Sequence, residues 1–192
     1  MYIRTFVATL AVAVVPQLAS AQASTTSAPA DTAARGVVAN PVATAFREDA
    51  AKFAKNLTAA AEQMPEKRYG YKPTPAQMSF RDIVNHLSMG NDLLCGKIGG
   101  TAAPTRSKVA ATAKKAELVA RLKETFAFCE QSLASLDDSK LGEQMTLFGP
   151  KMYTRAATMN ITTGDWADHY SQTAIYMRLN GQLPPTAKKK AM

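Results

Sequence analysis

Apolar side chains recur at intervals of three and four residues in four separate stretches of this chain. That period predicts amphipathic α-helices, and clusters of Pro and Gly residues separate one stretch from the next. We find neither the sustained alternation of apolar and polar residues that would predict strands nor an internal repeat. The predicted helices cover residues 41–64, 79–98, 113–136 and 157–179. An all-α four-helix bundle is the simplest fold that buries four apolar stripes.

The two ends of the chain differ in composition from the predicted helices. Residues 1–21 have the pattern of a secretory signal peptide, with one basic residue, an apolar run and small residues before the expected cleavage site. The apolar run of about ten residues is too short to cross a bilayer, which takes roughly 20. Residues 22–40 are small or polar and predict a flexible tether, followed by the bundle at 41–186 and a basic tail at 187–192. We therefore expect an exported protein, periplasmic or extracellular, whose mature form has no transmembrane helix.

The net charge of the full chain is +8, from 23 Lys and Arg residues against 15 Asp and Glu residues. Arg4 lies in the predicted leader and three lysines at 188–190 lie in the tail, so that +8 minus these four leaves +4. A charge of this size spread over a domain favours solubility, whereas a nucleic-acid-binding face needs basic side chains clustered together. We expect no nucleic-acid partner.

The two cysteines lie on the apolar stripes of the second and third predicted helices. In exported proteins such residues usually pair. Cys95 follows Ser79 by 16 positions, and Cys129 follows Ala113 by 16 positions. If the two helices were antiparallel, the sulfur atoms would differ in height by roughly 15 Å, whereas parallel helices bring them level. A Cys95–Cys129 disulfide therefore predicts parallel helices, and the alternative is two separate buried thiols.

The chain has only two histidines, His86 on the second predicted helix and His169 on the fourth. Asp165 precedes His169 by four positions, and this spacing puts both side chains on one face of a helix. A third ligand from another helix would complete a facial set of three for a metal ion. The alternative from spacing alone is that each histidine is a hydrogen-bonded structural residue beside an apolar stripe.

Two stretches of the sequence are distinctive. The first reads EKRYGYKPTPAQMSFRDIVNHL, and the second, much later, reads DHYSQTAIYMRLNGQLPP. Together they resemble the DinB-like family of metal-binding four-helix bundles, in particular its exported bacterial members. The resemblance extends over residues 43–185 and implies an up-down-down-up topology, in which the second and third helices run parallel.

The resemblance also implies a divalent metal site. Members of the family hold zinc or nickel through one His on the second helix and two His residues four positions apart on the last helix. His86 matches the first of these ligands and His169 matches the later member of the pair, whereas Asp165 stands in place of the earlier member. A set of two His and one carboxylate also suits iron or manganese. The same substitution is equally consistent with a site that has decayed.

Relatives in this family include thiol-dependent S-transferases and hydrolases. The resemblance therefore implies a metal-dependent transferase or hydrolase whose partner is a small-molecule thiol or electrophile, and a homodimer is one assembly to test. Tyr176, seven positions after His169, is the candidate catalytic phenol. Asp82 either orients His86 or simply favours the start of the second helix. The rival interpretation is a non-catalytic bundle that has lost its metal and acts as a binding or envelope-associated module.

Overall fold

The computed structural model describes residues 37–110 and 112–187. The predicted signal peptide, the tether up to residue 36 and the last five residues lie outside the described residues, so these boundaries stay predictions. Within the described residues there are four long helices and one short antiparallel hairpin: α1 Pro41–Gln63, α2 Phe80–Gly99, α3 Lys115–Leu133, β1 Gln144–Thr146, β2 Met152–Thr154 and α4 Arg155–Leu179. No helix in the part of the chain so described is long and apolar enough to span a membrane.

Helices α2 and α3 run parallel, because their contacts advance in the same direction along both helices. Asn91 Nδ2 donates a hydrogen bond to Thr125 Oγ1 over 3.2 Å. Four residues further on in each helix, Cys95 and Cys129 form a disulfide with their Cα atoms 5.0 Å apart. The disulfide and the parallel arrangement predicted from the cysteine positions are both present.

Two further pairs, α1 with α3 and α2 with α4, run antiparallel. At the start of α3, Lys115 Nζ donates to the carbonyl oxygen of Glu62 at the end of α1. At the start of α4, the Arg155 guanidinium donates to the carbonyl oxygen of Ile98 at the end of α2. The four-helix bundle therefore has the up-down-down-up topology that the family resemblance implies.

The centre of the bundle is built around Trp166 of α4, which is 1 % exposed. Its ring lies 5.7 Å from Phe46 and 6.1 Å from Phe53 of α1, and 6.0 Å from Phe126 of α3, measured between centroids. The indole Nε1 donates to Asn91 Oδ1 over 2.8 Å. Because Trp166 contacts all three other helices, it fixes the rotation of α4 and of the residue before it, Asp165.

The N-terminus of α1 is not capped by Asn40, the residue that precedes the helix. Asn40 lies in the left-handed region with a φ of 50° and makes no side-chain cap. Instead, the Asp138 carboxylate accepts hydrogen bonds from the backbone N–H groups of Val42 at 3.1 Å and Ala43 at 2.8 Å. Asn40 Oδ1 accepts from the Asp138 backbone N–H. The cap therefore comes from a carboxylate distant in sequence, which suits the positive end of the helix dipole.

Candidate metal centre

The structure brings the three predicted ligand residues together between α2 and α4. His86 Nε2 lies 3.2 Å from Asp165 Oδ1, and His169 Nε2 lies 3.3 Å from the same oxygen. The candidate ligand atoms of all three residues lie within 4.8 Å of one another. The two imidazole rings have centroids 4.6 Å apart and planes at 64°. Two helices that are far apart in sequence thus present three donor atoms to one point.

Local sequence explains why the side chains point to this place. Ile83 and Leu87 of α2 are 0 % and 1 % exposed, so α2 turns these residues into the core and leaves His86 at the edge beside α4. On α4, Asp165 and His169 are one helical turn apart and share a face. The core tryptophan at position 166 orients that face toward α2.

The site is closed on one side and open on the other. The side chain of His169 is 9 % exposed, that of Asp165 is 25 % exposed and that of His86 is 44 % exposed. Gly90, one turn after His86 on α2, faces Asp165, and a Cβ added there would lie 3.8 Å from Asp165 Oδ2. The glycine therefore leaves free space beside the carboxylate oxygen that neither histidine contacts.

The three residues shift one another's proton affinities. Burial by itself would raise the pKa of Asp165, but hydrogen bonds with His169 and His86 outweigh burial and lower that pKa. Burial would lower the pKa of His169, but the hydrogen bond and charge of Asp165 outweigh burial and raise it. The carboxylate and the His169 imidazolium thus stabilise each other, and a metal ion bound here would compete with protons for the same atoms.

The distances between the candidate ligand atoms fit a bound metal ion. With bonds of about 2.0 to 2.1 Å, the ligand atoms of a tetrahedral zinc ion lie roughly 3.3 Å apart. The two contacts of Asp165 Oδ1, at 3.2 and 3.3 Å, agree with this spacing. Two imidazoles and one carboxylate are also a donor set that leaves coordination positions open for a water or a substrate. The His86, Asp165 and His169 group could therefore hold a metal ion.

Tyr176, the candidate phenol, lies at the end of the bundle where α2 begins. Its hydroxyl donates to the carbonyl oxygen of Met78 over 2.9 Å, and its ring packs edge-on against Tyr71 at 5.8 Å between centroids. Burial raises the pKa of Tyr176, which disfavours a phenolate. The hydroxyl thus makes a structural contact, and a catalytic role for it stays a prediction.

Asp82 belongs to the cap of α2. Its carboxylate accepts from the Ser79 backbone N–H over 3.0 Å, while Ser79 Oγ accepts from the Asp82 backbone N–H over 3.1 Å. These reciprocal bonds form a capping box. Of the two roles considered for Asp82, the structure supports the one at the helix start.

Sequence reasoning missed two residues next to the donors. Gly90 follows His86 by four positions, and Gln172 follows His169 by three, so both lie on the helix face of a predicted ligand. That spacing is the signal that could have identified them.

A separate groove of about 600 Å³ between α1 and α3 is lined mostly by small residues and includes none of the three donors: Ala50, Ala51, Ala54, Ala127 and Ala134 are in its wall.

Comparisons with known proteins agree with this architecture. Eleven chains of solved structures match. One is a DinB-like protein from Bacillus subtilis, 20 % identical with a TM-score of 0.61, and the alignment covers 76 % of this chain and 99 % of that one. Another is a conserved protein from Enterococcus faecalis, 15 % identical with a TM-score of 0.58, with coverage of 72 % and 96 %. At these identities the likeness establishes the fold.

The comparison with curated proteins gives no match. The family model of the DinB superfamily matches residues 51–173, a range that includes all three donor residues and most of the four helices. The chain belongs to the DinB superfamily.

Proposed function

We propose that the protein binds one divalent metal ion through His86, Asp165 and His169 and uses it in a thiol-transfer or hydrolytic reaction. The observation that carries the proposal is the convergence of three donor atoms from α2 and α4, with the carboxylate oxygen 3.2 and 3.3 Å from the two imidazole nitrogens. Zinc or nickel is the expected ion, and the carboxylate also permits iron or manganese.

A bound metal would supply Lewis acidity, which lowers the pKa of a coordinated water or thiol. The chain's own residues would define how a substrate approaches. His169 is nearly enclosed, so the partly exposed His86 side is the side from which a small thiol or electrophile would enter. The Asp165 carboxylate would balance the charge of the ion. Transfer of a thiol to an electrophile is favoured over hydrolysis by the family resemblance alone.

We also propose that the protein works outside the cytoplasm. The support is the Cys95–Cys129 disulfide, since disulfides persist in oxidising compartments, together with the signal-peptide pattern of residues 1–21. Thiol counting on protein purified from the periplasm, with and without reductant, tests this: two free thiols without reductant would contradict it.

A second candidate function is a binding module without metal. One observation favours it, because Asp165 Oδ1 lies within hydrogen-bond distance of the Nε2 atoms of both histidines and can accept from them without a metal ion. In this case His86, Asp165 and His169 would serve only to hold α2 against α4.

Elemental analysis of the purified protein separates the two functions. We expect about one equivalent of metal in the unmodified protein and much less in His86→Ala and Asp165→Ala. Glu130→Ala, an exposed carboxylate on α3, is the control and should retain the metal. Absence of stoichiometric metal after reloading with zinc, nickel, iron or manganese would overturn the proposal. Turnover assays across thiols and electrophiles then test catalysis, because an occupied site does not prove it.

A further inference from the structure

One ring nitrogen of His169 is buried and has no hydrogen-bond partner among the described residues. The Nε2 atom faces Asp165 Oδ1, and this buried nitrogen is Nδ1. Buried polar atoms are nearly always hydrogen-bonded, so an exception calls for a physical explanation. In metal sites, the nitrogen that does not bind the ion usually donates its proton to a neighbouring acceptor.

Gln172 is placed to be that acceptor. It lies three residues after His169 on α4, and residues at this spacing are neighbours on a helix surface. Its Nε2 donates to Asp168 Oδ2 over 2.7 Å, which orients the amide and leaves Oε1 free to accept a hydrogen bond. Bonds of this kind often tighten only when the site is loaded.

We propose that Gln172 is a positioning residue of the metal centre: its Oε1 accepts the Nδ1 proton of His169, while Asp168 holds the Gln172 amide in place. The inference rests on the proposed function and deepens it. A neutral imidazole carries one proton, so a proton kept on Nδ1 leaves the Nε2 lone pair available to an ion.

The position of Asp165 makes this choice of tautomer important. Asp165 Oδ1 lies 3.3 Å from His169 Nε2 and stabilises a proton on that nitrogen. A proton on Nε2 blocks it as a ligand. Gln172 and Asp165 therefore compete for the single proton of His169, and the amide increases the fraction of the tautomer that can bind metal.

The first test is a zinc-affinity titration against a chromophoric chelator. Gln172→Met keeps the size of the side chain and removes the acceptor, so we expect affinity to fall by about tenfold or more. Gln172→Glu keeps an acceptor oxygen but cannot donate to Asp168, so it should recover only part of the affinity. Gln131→Met on α3, an exposed glutamine far from the site, is the matched control and should bind zinc like the unmodified protein.

The second test reads the tautomer directly by ¹⁵N NMR of the histidine rings, with and without zinc, at a pH where His169 is neutral. We expect a larger fraction of the Nδ1–H form in the unmodified protein than in Gln172→Met. If the unmodified protein binds no zinc, the proposed function fails, yet the metal-free spectra still test Gln172. Equal zinc affinity and an unchanged tautomer in Gln172→Met would overturn the inference.

Discussion

Helix α2 makes two kinds of contact on its two sides. Toward α3 it is joined by the Cys95–Cys129 disulfide, and at Gly99 the backbones approach so closely that an added Cβ would overlap the carbonyl oxygen of Ser132. Toward α4, the contact at His86 is polar, and that side chain is 44 % exposed. One side of α2 is therefore fixed by a covalent bond and by backbone packing. The other side includes groups that bind protons and could hold a metal ion.

The largest effect is expected from removing the covalent bond. In the chain-entropy description, a disulfide that closes a separation of 34 residues stabilises by about 3 to 4 kcal/mol. We expect the free energy of unfolding of Cys95→Ala/Cys129→Ala, measured by urea titration, to fall by about that amount.

Zinc affinity should be nearly unchanged in the same double variant. Cys95 is nine residues from His86, roughly 13 Å along the helix, and sites this far apart usually act independently. A large loss of zinc binding in a variant that still folds would mean that the two sides of α2 are energetically coupled and do not act independently.

Zinc should raise the free energy of unfolding, and it should do so only through the contacts between α2 and α4. A ligand present at about a hundred times its dissociation constant stabilises the folded state by about 2.7 kcal/mol. We expect this increase in the unmodified protein and in Cys95→Ala/Cys129→Ala alike, measured as the shift in urea midpoint on adding zinc. The increase should vanish in His86→Ala, and its persistence there would exclude His86 as a ligand.

Two glycines in helices should respond in opposite directions to the same substitution. Gly99→Ala places a Cβ against the Ser132 backbone and should destabilise by about 1 to 3 kcal/mol. Gly164 lies within α4 with no atom within 4 Å of an added Cβ, so Gly164→Ala should stabilise by about 0.5 to 1 kcal/mol through helix propensity. Thermal unfolding of both variants measures the contrast. A neutral Gly99→Ala would show that the α2–α3 contact can relax.

The helices of this fold could be predicted from the sequence because their apolar stripes reflect burial directly. The helix ends were predicted less accurately, both where a local cap sets them and where a distant group does. α4 begins at Arg155 rather than 157, because the Thr154 side chain accepts from the Ala157 backbone N–H. The cap of α1 comes from Asp138, and no local pattern reveals a partner at that distance. The hairpin was missed because strands of three residues are too short to show alternation.

The candidate site, like the fold, could be predicted from the sequence only in part. The pairing of Asp165 with His169 follows from helical spacing, and the family resemblance added His86 from another helix. The three side chains meet only if α4 has the right rotation. Trp166 sets that rotation through aromatic contacts with α1 and α3 and a hydrogen bond to α2, and no local motif of the sequence encodes such an angle. The role of Gln172 required knowledge of which ring nitrogen is buried without a partner.

The stability of the metal-free protein should also depend on pH through the Asp165–His169 pair on α4. The pKa of His169 is raised above its ordinary value of 6.5, since the bond with Asp165 outweighs burial. Its stabilisation is therefore complete below about 6.5 and is lost as the pH rises through the folded-state pKa. The pKa of Asp165 is lowered from 3.8, because its hydrogen bonds outweigh burial, so its stabilisation is complete above about 3.8 and is lost as the pH falls.

Asp165→Asn measures this contribution when unfolding is followed in the presence of chelator. At a pH of about 5.5 the substitution should lower the free energy of unfolding by about 1 kcal/mol, the size of a partly exposed charged hydrogen bond. The loss should be smaller at a pH of about 8.5. The matched comparison is Cys95→Ala/Cys129→Ala, whose loss of stability should be equal at both pH values because a disulfide does not titrate. A cost of Asp165→Asn that is the same at both values would mean that packing of this side chain, rather than its bond to the His169 imidazolium, sets the loss of stability.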